Sequence, residues 1–175
     1  MIPNTPYYQY DLDLLEQTLI EVKKHAAKHH YHLHYALKAN SNDRILEVIN
    51  AHGIGADCVS GNEISKAIDA GFAASKIAFA GVGKSDAEIN LALSHDIFCF
   101  NSESIHEIEV INELAAKQHK TARIALRINP NVNALTHRYI TTGLEENKFG
   151  INQWEFDQVL ETLNNCTHVK CIGLH

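Results

Sequence analysis

The sequence predicts part of a parallel α/β barrel, and three observations predict it. Short apolar runs, polar turns and segments of helical period recur along the chain. Serine and glutamate stand at the spacing of a helix-capping box directly after several of the runs. The first run is followed by a turn without glycine, which disfavours the phosphate loop of a doubly wound sheet. These patterns favour a (β/α)8 barrel, whose chemistry lies at the carboxyl ends of its strands.

Six apolar runs define the predicted strands. The first five begin at Leu33, Ala56, Ile77, Ile97 and Ile124. Their starts are 23, 21, 20 and 27 residues apart, and a sixth run begins at Val169 and reaches His175. Parallel strands need a crossover of about a dozen residues or more, so this spacing leaves room for a helix between successive strands.

The helices that follow the strands have recognisable starts, faces and ends. Three Ser-x-x-Glu boxes are present, Ser60 to Glu63, Ser85 to Glu88 and Ser104 to Glu107. In each box we expect the serine hydroxyl to accept from a free helix N–H and the glutamate to reach back to another. Gly53 and Gly71 stand where two helices should end. One apolar helix face is formed by Ile105, Ile108, Ile111 and Leu114.

The length of the chain limits how much of a barrel it can form. A complete (β/α)8 barrel takes about 250 residues, whereas this chain has 175 and supplies six predicted strands. We therefore expect one domain over residues 1–175, with about six of the eight strands of a barrel and no second domain within the chain.

The composition excludes several classes of function. The net charge of −6 disfavours nucleic acid or an anionic membrane as a partner, and no apolar run approaches the length of a membrane span. The amino terminus lacks the pattern of a secretory signal. Four scattered cysteines without a C-x-x-C pair indicate reduced thiols. We expect a cytoplasmic protein whose partner is a small molecule.

Lys38, in the stretch "HYALKANSN", is the first candidate for chemistry. Alternation along a strand would put Leu33, Tyr35 and Leu37 on one face and Lys38 on the other, facing the barrel interior at the strand end. A sheltered amine would be pushed toward its neutral form, which suits Schiff-base chemistry. The other interpretation is a surface lysine that closes a strand in solvent.

Three more charged residues follow predicted strands. Asp57 could face the interior and balance the charge of Lys38. Glu63 already has a structural role as the capping partner of Ser60. Arg127 ends the fifth strand and could offer its planar fork to a carboxylate, a phosphate or a phenolate, or could form an ion pair at the barrel rim.

Histidines and one long connection complete the candidates. His32 and His34 would share a strand face, but no further ligand stands at a convincing spacing, so we expect no metal site. The segment between the fifth strand and the next helix is long enough to be functional. It contains Thr136, His137, Tyr139, Thr141 and Gly143, which could line the mouth of a substrate site.

Several motifs occur in an order that resembles a known family. They are "YALKANSN", "GADCVSGNEI", "LRINPNV", "THRYITTG", "ENKFGI" and the final "IGLH". Together, from about Pro6 to His175, they resemble the diaminopimelate decarboxylases, which belong to the pyridoxal-phosphate decarboxylases built on an alanine-racemase-like barrel. "YALKAN" is similar to the whole superfamily, whereas "THRYITTG" with "ENKFGI" is more specific for diaminopimelate.

The resemblance implies a cofactor, a reaction and site residues. The cofactor would be pyridoxal 5'-phosphate, and the reaction would remove the carboxylate at the D-configured carbon of meso-2,6-diaminopimelate to give L-lysine. Lys38 matches the lysine that binds the cofactor covalently and is the implied catalytic residue. Asp57 and Arg127 match residues near the cofactor, and His175 matches the first histidine of its motif. Glu63 and His137 are implied near the substrate.

The resemblance also implies features beyond His175. They include a histidine that packs on the cofactor ring, phosphate-binding glycines, a glutamate that pairs with the pyridine nitrogen, and an all-β domain. Without them we expect the 175-residue chain alone to bind the cofactor weakly and to be inactive. The full-length family member is implied to be a homodimer. Decarboxylases of the same fold that act on ornithine, arginine or carboxynorspermidine, and a non-catalytic relative that binds the cofactor, remain alternatives.

Overall fold

The computed structural model describes residues 4–130 and 149–175. Within these ranges six parallel strands form one sheet in the order β1-β2-β3-β4-β5-β6. The strands are β1 His34–Ala36, β2 Gly55–Cys58, β3 Ile77–Phe79, β4 Cys99–Ser102, β5 Ala122–Leu126 and β6 Val169–Leu174. The α-helices in these ranges are α1 Leu12–Ala27, α2 Asp43–Ala51, α3 Gly61–Asp69, α4 Asp86–His95, α5 Ile105–Lys117 and α6 Phe156–Asn165.

The order of elements agrees with the repeating unit predicted from the sequence. Helix α1 precedes β1, and each of the other five helices lies between two consecutive strands. All six apolar runs form strands, with boundaries that differ by a residue or two from the starts of the runs. In the described ranges β1 and β6 are the two ends of the sheet. The predicted strands, their parallel direction and their sequential order are confirmed.

The register of the strands gives the sheet two different faces. Tyr35, Ala56 and Ile77 are cross-strand partners on one face, and Ala36, Asp57 and Ala78 are partners on the other. Because side chains alternate along a strand, each face keeps its character from one strand to the next. We call the first the helix face and the second the inner face.

The hydrophobic core lies between the helix face and the helices. The largest fully buried side chains include Phe79 and Phe100 from the sheet and Ile64, Ile89 and Ile108 from the helices. Fully burying a side chain of this size stabilises the fold by about 1.5–3 kcal/mol. The predicted apolar face of α5 is confirmed at its centre, since Ile108, Ile111 and Leu114 are buried and Ile105 packs on the cluster from a partly buried position.

The inner face carries small and polar side chains instead. Ala78, Cys99, Asn101 and Ala125 are buried there but do not belong to the hydrophobic cluster. The thiol of Cys99 lies 3.7 Å from the amide oxygen of Asn101, two residues along the same strand. These side chains are smaller than the bulky branched residues that usually fill the interior of a complete barrel.

The predicted helix starts are confirmed for the serines and corrected for two of the glutamates. Ser60, Ser85 and Ser104 each accept a hydrogen bond from the backbone N–H three residues later. Only Glu88 also binds the N–H of its own N-cap residue, which completes the box. The carboxylates of Glu63 and Glu107 bind the N–H groups one residue earlier, at Val59 and Glu103. The two glutamates therefore hold the ends of the preceding strands to the helices.

Glycine ends two of the helices, as predicted. Gly53 and Gly71 follow the C-cap residues of α2 and α3 with φ of 72° and 85°. Residues with a Cβ rarely adopt a positive φ, so glycine is suited to both positions. Among the helices in the described ranges, none is long and apolar enough to cross a lipid bilayer.

Candidate functional site

The candidate site is the edge of the sheet at which all the strands end. In a parallel sheet the carboxyl ends of the strands meet at one edge, and in barrels this edge carries the chemistry. Lys38, Asp57, Arg127 and His175 all lie at or just beyond the carboxyl ends of their strands. The structure therefore gathers four of the six candidate residues at one edge, whereas the sequence separates them by up to 137 positions (175 − 38).

Lys38 lies on a short turn, which corrects one part of the prediction. Strand β1 stops at Ala36, and Leu37–Ala39 form a single 3-10 turn. Leu37 is 1% exposed and packs in the core, whereas Lys38 is exposed and makes no hydrogen bond or ion pair with the described residues. Lys38 therefore lies on this turn and not on the strand, because the ladder with β2 ends before it; that its side chain faces the barrel interior remains a prediction. The predicted location at the strand end is correct.

Hydrogen bonds fix the turn that follows Lys38. The hydroxyl of Tyr35 donates to the carbonyl oxygen of Asn40 at 3.1 Å. The side chain of Asn40 accepts from the N–H of Asn42 at 2.9 Å, and Asn42 caps helix α2 by accepting from Arg44. Asparagine favours such local bonds to the backbone, which explains the polar "ANSN" stretch after an apolar strand. The turn holds the backbone at Lys38 while its side chain remains accessible.

Asp57 lies on β2, the strand that pairs with the one before Lys38. It is partly buried on the inner face and is the register partner of Ala36, two residues before Lys38. No ion pair joins Asp57 to Lys38 among the described contacts, so the expected charge balance is not present as a direct contact. The electrostatic influence of Asp57 reaches His34, where it opposes the burial that lowers the pKa of the imidazole.

Glu63 serves the start of helix α3. Its carboxylate accepts from the N–H of Val59 at 2.7 Å, and its own N–H donates to the hydroxyl of Ser60 at 3.2 Å. Glu63 thus helps to start α3, as the spacing predicted, but its carboxylate binds Val59 and not the N-cap Ser60. The substrate contact implied for Glu63 by the family resemblance remains a prediction.

Arg127 makes backbone, ion-pair and aromatic contacts at this edge. It directly follows β5, and its N–H donates to the carbonyl of Ser102 at 2.9 Å. One guanidinium nitrogen lies 2.6 Å from a carboxylate oxygen of Glu103, and the guanidinium carbon lies 5.5 Å from the centre of the Phe149 ring. The rim ion pair that the sequence allowed is therefore present. Arginine has five donors, and the bond to Glu103 aside, Arg127 uses none of them on the side chains or backbone of the described residues, so the others can serve an anionic ligand.

Sequence reasoning missed a group of charged residues beneath Arg127. Glu103 is buried at the end of β4, and its N–H donates to Glu107 at 2.9 Å. The other oxygen of Glu107 pairs with Lys84 at 2.6 Å, and the Lys84 side chain is only 1% exposed. The available signal was Glu103 itself, an acidic residue directly after an apolar run; the long-range pairs with Lys84 and Arg127 have no local pattern.

Two candidates remain: His175, which follows the end of β6, and His137, which the structure does not describe. The N–H of His175 donates to Leu126 at 2.8 Å, and its carbonyl accepts from Ile128 at 2.9 Å, so it extends β6 beside Arg127. Its side chain is exposed. His137, with Thr136, Tyr139, Thr141 and Gly143, lies outside the described residues.

The histidine pair at the start of β1 lies at the opposite edge. His34 is the first residue of β1, and its ring centroid lies 5.8 Å from that of Phe98, which precedes β4. Within the part of the chain that the structure describes, no cluster of three or more His, Cys, Asp or Glu side chains is placed to hold a metal ion. A cleft between His32, His34, Lys76 and Phe98 also belongs to this edge and not to the candidate site.

Fold and site together define a class of protein: a parallel α/β barrel segment that presents an accessible lysine and a paired arginine at its strand ends. Comparison with known proteins narrows this class. Residues 12–175 match the family of pyridoxal-dependent decarboxylases, pyridoxal binding domain. The chain belongs to this family.

Characterised relatives agree with the family. The chain is 56% identical over 172 residues to diaminopimelate decarboxylase of Bacteroides thetaiotaomicron. The aligned region covers 98% of this chain and 45% of the relative. It is 47% identical over 171 residues to the diaminopimelate decarboxylase of Helicobacter pylori strain J99, with 98% and 42% covered. The chain thus spans less than half the length of these relatives.

Solved structures confirm the fold. Diaminopimelate decarboxylase from Helicobacter pylori complexed with L-lysine superposes with a TM-score of 0.89 at 41% identity, over 99% of this chain and 44% of that one. The arginine decarboxylase of the Paramecium bursaria Chlorella virus has a TM-score of 0.71 at 24% identity, over 91% and 40%. At this lower identity, the similarity to the arginine decarboxylase supports the fold but not the function. The prediction of a partial barrel of the decarboxylase type is confirmed.

Proposed function

We propose that this chain forms the cofactor-holding part of a diaminopimelate decarboxylase, which removes carbon dioxide from meso-2,6-diaminopimelate and leaves L-lysine. The observation that carries the proposal is Lys38: an accessible amine without an ion-pair partner among the described residues, fixed by its turn at the edge where a barrel carries its chemistry. The identity of 56% to a diaminopimelate decarboxylase supports the choice of reaction.

The residues present fit pyridoxal phosphate. Lys38 offers an amine that can hold an aldehyde covalently. Arg127 offers unused donors at the same edge, and its charge suits a phenolate or a carboxylate. In the strand order, Asp57 on β2 lies between the strand that precedes Lys38 and the strand that precedes Arg127. Its carboxylate could therefore accept from a cationic or hydrogen-bonding group of a ligand. When bound, the cofactor supplies an electron sink for the carbanion left by decarboxylation.

Each candidate residue has a proposed role toward cofactor or substrate. Lys38 holds the cofactor and is the catalytic residue. Asp57, Arg127 and His175 bind or orient the cofactor from the ends of β2, β5 and β6. Glu63 and His137 contact the substrate; the carboxylate of Glu63 would do so while it keeps its bond to Val59.

Substrate choice rests on the relatives. Those that match at 38–56% identity over nearly the whole chain carry the name diaminopimelate decarboxylase. The arginine decarboxylase structure matches at only 24% identity, which supports the fold but not its substrate. We propose meso-diaminopimelate as the substrate, ahead of ornithine, arginine or carboxynorspermidine. We also propose that the protein works in the cytoplasm as a homodimer, in lysine biosynthesis, with no nucleic-acid or membrane partner.

The test is covalent trapping in the full-length protein that carries this chain. The protein is mixed with pyridoxal phosphate, treated with borohydride and digested, and the modified lysine is located by mass spectrometry. We expect the adduct on Lys38, together with release of carbon dioxide from meso-diaminopimelate before reduction. Lys38→Arg should abolish both, whereas Lys28→Arg, at the exposed end of α1, should change neither.

The outcomes separate the alternatives. Labelling spread over many lysines, with Lys38 unmarked, contradicts the proposal. An adduct on Lys38 with no decarboxylation of any diamino acid would favour the non-catalytic relative. An adduct with faster turnover of ornithine or arginine would move the substrate to a sister decarboxylase.

A further inference from the structure

We propose that Glu103 is a positioning residue, which acts on the cofactor site through Arg127. The proposal rests on the proposed function, because it needs Arg127 to serve the cofactor or substrate. Nothing in the sequence motifs that resemble the family pointed to Glu103. The structure places it directly beneath the Arg127 guanidinium, on the side away from solvent.

The contact between the two side chains is short and largely buried. A guanidinium nitrogen of Arg127 lies 2.6 Å from an oxygen of Glu103, and the side chains are 31% and 6% exposed. One donor of the partly exposed Arg127 is thus bound to a buried carboxylate. Charge-assisted bonds of this kind also fix geometry, because the guanidinium is planar and its donors have set directions.

Glu103 is itself held in place. Its N–H donates to Glu107 at 2.9 Å, and Glu107 pairs with Lys84 at 2.6 Å. The ammonium of Lys84 also donates to the carbonyls of Gly81 and Asn101, each at 2.8 Å. A buried cation therefore ties the segment after β3 to β4 and to α5, and Glu107 of α5 holds the backbone of Glu103.

An aromatic ring also contacts the guanidinium. Phe149 lies with its ring centre 5.5 Å from the guanidinium carbon, within the range of a cation–π contact. The backbone of Arg127 is bound on both sides, to Ser102 through its N–H and to Ile151 through its carbonyl. With backbone, one donor and one face engaged, the remaining donors of Arg127 have a defined direction. Preorganisation of this kind lowers the cost of binding a ligand.

The second oxygen of Glu103 supports a role tied to the arginine. It is buried and has no hydrogen-bond partner among residues 4–130 and 149–175. A buried carboxylate without full satisfaction is costly, so the arginine is the main compensation for its charge. Within the described residues, the one side-chain bond of Glu103 is to Arg127, so its orientation and that of the guanidinium depend on each other.

The test is a double-mutant cycle in the full-length protein that carries this chain. Glu103→Gln removes the charge and keeps the size, and Arg127→Gln removes the guanidinium. The affinity for pyridoxal phosphate is measured by titration of the visible absorbance, with kcat and KM and the thermal midpoint for each variant. We expect Glu103→Gln to weaken cofactor affinity about tenfold in the parent, as loss of an outer partner does for ligating groups. In the Arg127→Gln background the same change should have no further effect.

The controls separate positioning from stability. Glu113→Gln, on the helix α5 that follows Glu103, breaks an exposed pair with Lys117 and should leave affinity unchanged. If Glu103→Gln does not fold, Glu103→Asp keeps the charge but withdraws it from the guanidinium, and the same cycle applies. An equal loss in both backgrounds, or no loss in the parent, overturns the proposal. If the unmutated protein forms no adduct on Lys38, the proposed function fails first and this inference with it.

Discussion

Lys84 and Glu107 form an ion pair with a distance of 2.6 Å, and the lysine side chain is only 1% exposed. The ammonium also bonds two backbone carbonyls and lies 5.4 Å from the centre of the Phe79 ring. Its donors are thus satisfied in the protein interior. This arrangement ties the connection after β3 to helix α5, directly below the candidate site.

The first prediction concerns this pair. Lys84→Met should lower the free energy of unfolding by about 3–5 kcal/mol, because it leaves the carboxylate of Glu107 without its buried partner. Urea denaturation followed by circular dichroism measures the change. Lys117→Met, which breaks the exposed pair with Glu113, is the matched control and should be indistinguishable from the parent. Equal stability of the two variants would contradict the role of burial.

Local pattern explains what could be predicted of the fold. Apolar runs and Ser-x-x-Glu boxes depend on neighbours within a few residues, so strands and helix starts were predicted nearly to the residue. The end of β1 was not, because it depends on where the ladder with β2 stops. Glu63 and Glu107 bind one residue earlier than the box predicts, which depends on how each strand enters its helix.

The site was predictable only in part for the same reason. Lys38, Asp57, Arg127 and His175 could be assigned to strand ends, because parallel strands share an edge. The bond between Arg127 and Glu103 joins residues 24 apart on neighbouring strands, and depends on the register of β4 against β5. The spacing of residues along the sequence does not predict this register, so the bond could not be predicted.

The second prediction concerns Glu88, which joins two helix starts. One carboxylate oxygen accepts from the N–H of Gly61 at 2.7 Å, and the other accepts from the N–H of Ser85 at 3.0 Å. Glu88→Gln should cost about 1 kcal/mol of unfolding free energy at neutral pH, because an amide cannot accept with both ends. Glu16→Gln on the exposed side of α1, which makes no hydrogen bond to the described residues, should cost nothing measurable.

The cost of Glu88→Gln should also depend on pH. Hydrogen bonds from Gly61 and then Ser85 lower the pKa of Glu88 below its usual 4.5. The unfolded chain therefore binds the proton more readily, and the contribution of the carboxylate is present above pH 4.5 and is lost as pH falls through the folded value. The difference between parent and variant should shrink in that acid range. A difference that is constant with pH would contradict this assignment.

The third prediction concerns Gly55, the first residue of β2. A Cβ at this position would collide with the His34 ring and with the backbone carbonyl of Lys76. Gly55→Ala should lower the free energy of unfolding by about 1–3 kcal/mol, as overpacking does. His34→Ala should rescue only part of this loss, because the carbonyl cannot move away as a side chain can. Gly83→Ala, where a Cβ meets nothing within 4 Å, is the matched control and should be nearly neutral.

The fourth prediction concerns the reactivity of the cysteines, since only the thiolate is alkylated. Burial, with help from Glu63 and Asp57, raises the pKa of the Cys58 thiol from 9.0 to about 12. Burial likewise raises the pKa of Cys99 to about 11. Cys171 is exposed on β6. A short treatment with iodoacetamide at mildly alkaline pH should therefore modify Cys171 first and leave Cys58 and Cys99 intact until the chain is unfolded. For Cys58 the shift alone lowers the thiolate fraction about a thousandfold, and burial blocks the reagent as well.

Peptide mass spectrometry over a time course measures the order, with Cys171→Ser as the control that should remove the fast phase. Modification of Cys58 at the rate of Cys171 in the folded protein would mean that the helix face opens to solvent at β2, next to the strand end that carries Asp57.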